Sequence, residues 1–266
     1  MRRLSLAVFL VCFAVSGGVS AGEVTYKDFE TFANSRFGPP DGKARYWYGV
    51  GPVRDVATGK TLYRFEYYDT VRHYVDPKDP NRRFGIVRKL DLFRDAKTND
   101  LLTTFNGKPV ESWIFPYQLF ELQYKDGAVS MSITQGGGKF LRTHVFPDIE
   151  MLRHGGNLHI TIPGFFTVRR PEIPDAVQAF TMSSLFVVCE RNCSGSPQVD
   201  WVQAGVNPAP PWADSAGQGL LYMFMSGARF EQYADLPQSV RTVIDAQYPE
   251  WRQPAKDLAE IEALQR

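Results

Sequence analysis

Arg88, Arg142 and His144 are the residues whose types and positions in strand-like segments could do chemistry. From Phe84 onward, two-residue alternation sets Ile86, Arg88, Leu90 and Leu92 on one parity, which places Arg88 among core side chains. A buried guanidinium is costly unless it is paired or used. Arg88 therefore either pairs with a carboxylate, Glu66 or Asp91, or anchors an anion or carbonyl. Arg142 and His144 are bracketed by Phe140 and Phe146, whereas Leu141, Thr143 and Val145 take the other parity. If the aromatic parity lines a hollow, Arg142 binds an oxygen-bearing ligand there and His144 moves a proton. The opposite orientation leaves both in solvent. Tyr48, Tyr67 and Trp113 complete the candidate ligand-binding set, and Glu66, Asp91 and His144 are the candidate acid and base groups.

Other constellations fall short of a reactive site. His154 and His159 are separated by Leu158 and Gly155-Gly156-Asn157, with His73 far away, whereas zinc sites use tighter pairs completed by Cys or an acid. Gln135 to Lys139 lacks the Ser/Thr ending and following helix of a phosphate loop. Asp95 to Asp100 lacks the Gly and distal Glu of a calcium loop, and Ser183-Ser184 lacks the Gly-x-Ser-x-Gly elbow. No metal and no cofactor is expected.

The elements that must position these residues are mostly strands. Between Ala44 and about Phe230, period-two segments are broken by turns such as Ala57-Thr58-Gly59, Asp76 to Pro80 and Lys125-Asp126-Gly127. That pattern predicts a mainly β (α+β) fold, an antiparallel barrel or strongly curled sheet. Tyr63, Phe65 and Tyr67 alternate with Arg64 and Glu66, and Val129, Met131 and Ile133 with Ser130 and Ser132. Phe84 to Arg94 reads as a strand, Asp95 to Asp100 as a turn, and Leu101 to Phe105 as a return strand. Later strands are predicted near Phe140 to Phe146, Leu158 to Ile162, Val177 to Cys189 and Leu220 to Ser226. A short N-terminal helix opens at a capping box, Thr25 with Asp28, carries Tyr26, Phe29, Phe32, Ala33 and Phe37, and stops at Gly38-Pro39-Pro40. Two C-terminal helices follow Leu236-Pro237, with Val240, Val243 and Ile244 and then Leu258, Ile261 and Leu264 as their apolar faces, and cover an end or side of the sheet. Pro208 to Trp212 is too short for a linker and reads as an ordered loop.

Residues 1–21 read as a signal peptide: Arg2 and Arg3, an apolar run from Leu4 to Val15, then Val19-Ser20-Ala21. The run is shorter than the roughly 20 apolar residues of a membrane span, so it is removed, leaving no stable membrane insertion. Leu4-Ser5-Leu6 after the arginines fits general secretion better than twin-arginine export. The mature chain, 22–266, is then a single β-rich domain beginning at Gly22, periplasmic or secreted. Cleavage removes Cys12, and in an oxidising compartment Cys189 and Cys193 pair as a disulfide that pins a loop. It also lowers Lys plus Arg from 30 to 28 against 29 Asp plus Glu. No basic stripe marks a nucleic-acid partner.

Trp47-Tyr48-Gly49, Thr58 to Leu62, and Val87 to Asp95 with Thr98 and Leu101-Leu102 resemble the bacterial family called DUF1838, proteins of unknown function. Asn106, within Phe105 to Pro109, and the stretch from Leu236-Pro237 to Trp251 extend the resemblance over most of residues 28 to 253. It implies a strand-rich fold and carries Arg88 and Asn106 as site positions. Lys89 stands where the family tends to have an acidic residue, and Ile114 to Phe120 where it has Asn-Asp-Pro.

Aromatic residues form 14% of the chain and recur in alternating segments, which suits core and cavity lining. Two functions fit. In one, the exported domain holds a small apolar or aromatic molecule in an aromatic-lined cavity. In the other, acid and base residues in that cavity make it a cofactor-independent isomerase, lyase or hydrolase.

Overall fold

The computed structural model describes residues 24–136, 141–146, 149–170, 173–191, 199–213 and 219–264. The signal-peptide reading, residues 1–21, lies outside them.

Helix α1 (Tyr26–Phe37) begins at the expected capping box: Thr25 N–H donates to Asp28 Oδ2 at 2.9 Å and Asp28 N–H to Thr25 Oγ1 at 3.2 Å. Its strands follow in order: β1 (Ala44–Asp55), β2 (Thr61–Val75), β3 (Arg82–Asp95), β4 (Thr104–Phe105), β5 (Lys108–Pro109), β6 (Trp113–Lys125), β7 (Ala128–Gly136) and β8 (Leu141–Phe146). Then come β9 (Glu150–His154), β10 (Asn157–Ile162), β11 (Phe165–Arg170), β12 (Ile173–Thr181), β13 (Ser183–Cys189), β14 (Val199–Pro208) and β15 (Leu220–Phe230). Helices α2 (Gln238–Gln247) and α3 (Leu258–Leu264) end the chain, with a 3-10 turn at Pro249–Arg252 between them.

Among the described residues, thirteen of these strands form one antiparallel sheet, in the order β12-β11-β8-β7-β6-β3-β2-β1-β15-β14-β13-β10-β9. It curls into a half-barrel. The segment expected as one strand from Val177 to Cys189 is broken at Met182, because β12 pairs with β11 at one edge while β13 pairs with β10 and β14 near the other. The chain thus crosses between the two ends of the sheet, and Thr181 Oγ1 donates to the Val206 carbonyl at 2.9 Å there. Register shifts at Val53/Arg54 and Val87/Lys89 add bend. The expected return strand Leu101 to Phe105 is a correction: only a single bridge, Arg94 with Leu101, follows the turn, and Phe105 instead joins the small β4–β5 hairpin.

Both faces of the sheet are apolar. The convex face holds Tyr46, Tyr68, Leu90 and Leu92, covered by Val240, Val243 and Ile244 of α2 and by Trp251. Ile261 of α3 packs with Ile86 and Tyr117. The concave face carries the larger cluster, and α1 closes one end of it with Phe29, Phe32, Ala33 and Phe37, all fully buried. The helix is fixed by its C-terminal carbonyls, whose intrahelical donors are missing. Trp47 Nε1 donates to Arg36 O at 2.9 Å and Arg229 Nη1 to Ser35 O at 2.6 Å. Gly85 leaves space for the Phe37 ring, into which any Cβ at that position would run.

Candidate functional site

The concave face encloses a cavity of about 800 Å³. Alternation along three adjacent strands builds its wall: Trp47 and Val53 from β1, Tyr63, Phe65 and Tyr67 from β2, and Lys89, Asp91 and Phe93 from β3. Pro208 to Trp212, the ordered loop expected from its prolines, lines the cavity too. Lys108 Nζ donates to Pro211 O at 3.1 Å, tying the β4–β5 hairpin to that loop. Trp212 packs its ring 4.8 Å from Phe93 and 5.1 Å from Tyr63.

Polar groups meet at the deep end. Strand register sets Asp69 opposite both Trp47 and Lys89, and Tyr67 opposite Asp91. Asp69 is fully buried, and its Oδ2 lies 3.2 Å from Arg36 Nη2 of α1. The same oxygen accepts a short hydrogen bond from the Tyr67 hydroxyl. Lys89 Nζ lies 2.8 Å from Asp91 Oδ2 and 5.0 Å from the centroids of the Tyr67 and Phe115 rings. Arg36 stacks 4.6 Å from the Phe120 centroid and 5.2 Å from Trp47. These cation–π contacts are stronger away from water.

Burial dominates the electrostatics. It pushes the Asp69 carboxyl above the ordinary carboxylate range, although Arg36, Tyr67 and Lys89 pull the other way. Burial and the Asp69 charge together hold the Tyr67 phenol well above its usual value. Tyr67 is therefore a proton donor to Asp69 and no base. For Arg36, burial works against the charge, but Asp69 and Tyr67 outweigh it and the guanidinium stays protonated. The cluster can accordingly orient a ligand, with two further carboxylates, Asp91 and Glu111, on the cavity wall.

Of the residues singled out in the sequence, Tyr67, Asp91 and Trp113 line the cavity, Trp113 at 40% exposure near its rim. Arg88, Glu66 and Tyr48 do not, and they are corrections. Arg88 points from the convex face into the C-terminal segment, donating to Glu250 O at 2.8 Å and Gln253 O at 3.1 Å and pairing with Glu260 at 3.0 Å. Its carboxylate partner is thus neither Glu66 nor Asp91. Glu66 is buried on the same convex side, 2.5 Å from Arg94 Nε, and accepts from the Tyr48 hydroxyl at 2.9 Å. Asn106 is exposed in the β4–β5 turn at φ 49°, a backbone role that Asn tolerates. For Arg142 and His144 the backbone register is set, opposite Gln135 and Ile133 respectively; their side chains lie outside the described residues. Cys189 ends β13, and Cys193 also lies outside them.

Arg36, Asp69 and Lys89 are the site residues that sequence reading missed. Each had a signal: Asp69 continues the parity of Tyr63, Phe65 and Tyr67, Lys89 shares that of Val87, Asp91 and Phe93, and Arg36 lies on the helical stripe of Phe29, Phe32 and Ala33. Among the described residues, no group of three His, Cys, Asp or Glu is placed to hold a metal ion, and no helix is long and apolar enough to cross a membrane. No family model, curated protein or solved structure matches the chain.

Proposed function

We propose that this protein binds a small, largely apolar molecule in the concave cavity of its half-barrel. The observation that carries the reading is a hollow of about 800 Å³ walled by Trp, Tyr and Phe rings around a buried polar cluster. Its size falls in the range of small-molecule sites, which are mostly apolar with a few placed polar groups. Native mass spectrometry of the chain purified from its host tests it: an adduct that is released on denaturation is the expected result. Met223 lines the cavity and is 9% exposed, so Met223→Trp should fill the space and abolish both the adduct and uptake of the neutral dye Nile red. Wild-type protein that carries no adduct and takes up no dye would overturn the proposal.

The Lys89–Asp91 pair on the wall favours a second reading, a cofactor-independent enzyme in which Asp91 moves a proton. Glu66 drops out of that reading because it faces the convex side. Export is part of the proposal as well, with the chain processed to Gly22, placed in the periplasm or secreted, and closed by a Cys189–Cys193 bridge. Intact mass before and after reduction reads both features. The resemblance to DUF1838 proteins adds no activity to this reading.

A further inference from the structure

The buried tryptophans divide into two kinds. Trp47 Nε1 donates to Arg36 O at 2.9 Å, and Trp251 Nε1 to Lys89 O at 3.2 Å. Trp201 and Trp212 are buried to 5% and 8% exposure, yet their indole N–H groups have no acceptor among the described residues. An indole nitrogen can only donate, and leaving such a donor buried without a partner is costly. Both of these tryptophans line the cavity, as the Trp47 ring does, but Trp47 and Trp251 already spend their N–H groups on backbone carbonyls. They also sit at different ends. Trp201 packs 4.9 Å from the Tyr67 ring, beside the Arg36–Asp69 pair, while Trp212 packs 4.8 Å from Phe93 and 5.9 Å from Phe105 at the hairpin side.

Charge on the wall is balanced in the same region. The buried cations Arg36 and Lys89 each face a carboxylate, Asp69 at 3.2 Å and Asp91 at 2.8 Å. A ligand carboxylate would have to compete with those partners, and a buried charge lacking its own counter-ion is strongly disfavoured. A neutral acceptor has no such competition and answers the two idle indole donors, and Arg36 Nη1 on the same wall is likewise without a partner among the described residues. Resting on the binding function proposed above, we infer that the ligand is an uncharged, largely apolar molecule bearing a carbonyl-class hydrogen-bond acceptor towards each end. Trp201 and Trp212 would read those acceptors, and the rings between them would hold the body.

Three probes with one body separate the possibilities: 4,4′-diacetylbiphenyl, 4,4′-diethylbiphenyl and biphenyl-4,4′-dicarboxylate. Affinities for the full mature chain, measured by calorimetric titration, should favour the diketone over both others by on the order of ten-fold or more, since two hydrogen bonds are at stake. Trp201→Phe and Trp212→Phe keep a ring and remove the N–H. Each should weaken the diketone by roughly three- to ten-fold and leave the diethyl compound unchanged, with circular dichroism melts confirming that both variants fold. A diketone bound no better than the diethyl compound, a dicarboxylate bound most tightly, or a preference untouched by both substitutions would overturn the inference. In those cases the cavity still binds, and only its chemistry has been misread. Binding of none of the three overturns this inference, and where the wild type also carries no adduct and takes up no dye the binding function falls with it.

Discussion

Arg36→Met removes one half of a buried ion pair while keeping most of the side-chain volume, and its cost can be worked from the structure. Asp69 is fully buried, Arg36 is 6% exposed, and they meet at 3.2 Å. Removing one partner of such a pair strands the other charge and costs about 3–5 kcal/mol. For a domain of this size that is a fall of roughly 6–20 °C in Tm. Asp69→Asn in the same chain takes away the stranded charge, so the double variant should be clearly more stable than Arg36→Met alone. Urea unfolding of wild type, both single variants and the double variant closes the cycle. The dependence on pH adds a second check. Burial already raises the folded Asp69 carboxyl above its unfolded value, and loss of Arg36 raises it further. The Arg36→Met deficit is then greatest above that raised value and shrinks as pH falls through it and the carboxyl takes up a proton. An Arg36→Met chain within about 1 kcal/mol of wild type, or a double variant showing purely additive losses, would refute the reasoning.

His73, buried against Phe37 with Nδ1 2.7 Å from Gly38 O, has its imidazole pushed down to about 4 by burial. The folded state binds the proton less readily than the unfolded chain, so stability present above about pH 6.5 is lost as pH falls towards 4, by about 3 kcal/mol in all. Urea midpoints across that window should show the slope, and His73→Phe should remove it. Gly85→Ala forces a methyl against the Phe37 ring and should cost roughly 1–3 kcal/mol. The companion change Phe37→Leu, read by the same denaturation, should absorb part of that cost.

How far the site was legible in the sequence turns on β2 and β3. Turn spacing and two-residue alternation specify a curled antiparallel sheet, and the Thr25–Asp28 box and the apolar stripes specify the terminal helices, because each signal is local. Alternation also separates Arg88 from Lys89 correctly. What it cannot say is which parity faces the hollow. Ile86, Leu90 and Leu92 are as apolar as Val87 and Phe93, since the convex face is buried too, under α2, Trp251 and α3. Arg88, lying among the more aliphatic set, reads as the inward residue. The distinction depends on where helices more than 140 residues downstream settle, through contacts such as Tyr68 Oη to Trp251 O at 2.7 Å. No local pattern around Arg88 records it.

A sheet with two apolar faces needs two covers, and the described residues supply fewer. The C-terminal segment seals the convex face, while α1 closes only one end of the concave one. Apolar side chains could have filled the remainder, and replacing a buried ion pair by hydrophobic residues of similar volume is often neutral or stabilising. Instead, Arg36, Asp69, Lys89 and Asp91 are held beside the unfilled space, with two indole donors in its wall that find no acceptor among the described residues. Packing for stability alone would favour neither the hollow nor the charges. A bound molecule accounts for both, because it restores the missing contacts and supplies the missing acceptors only when it is present.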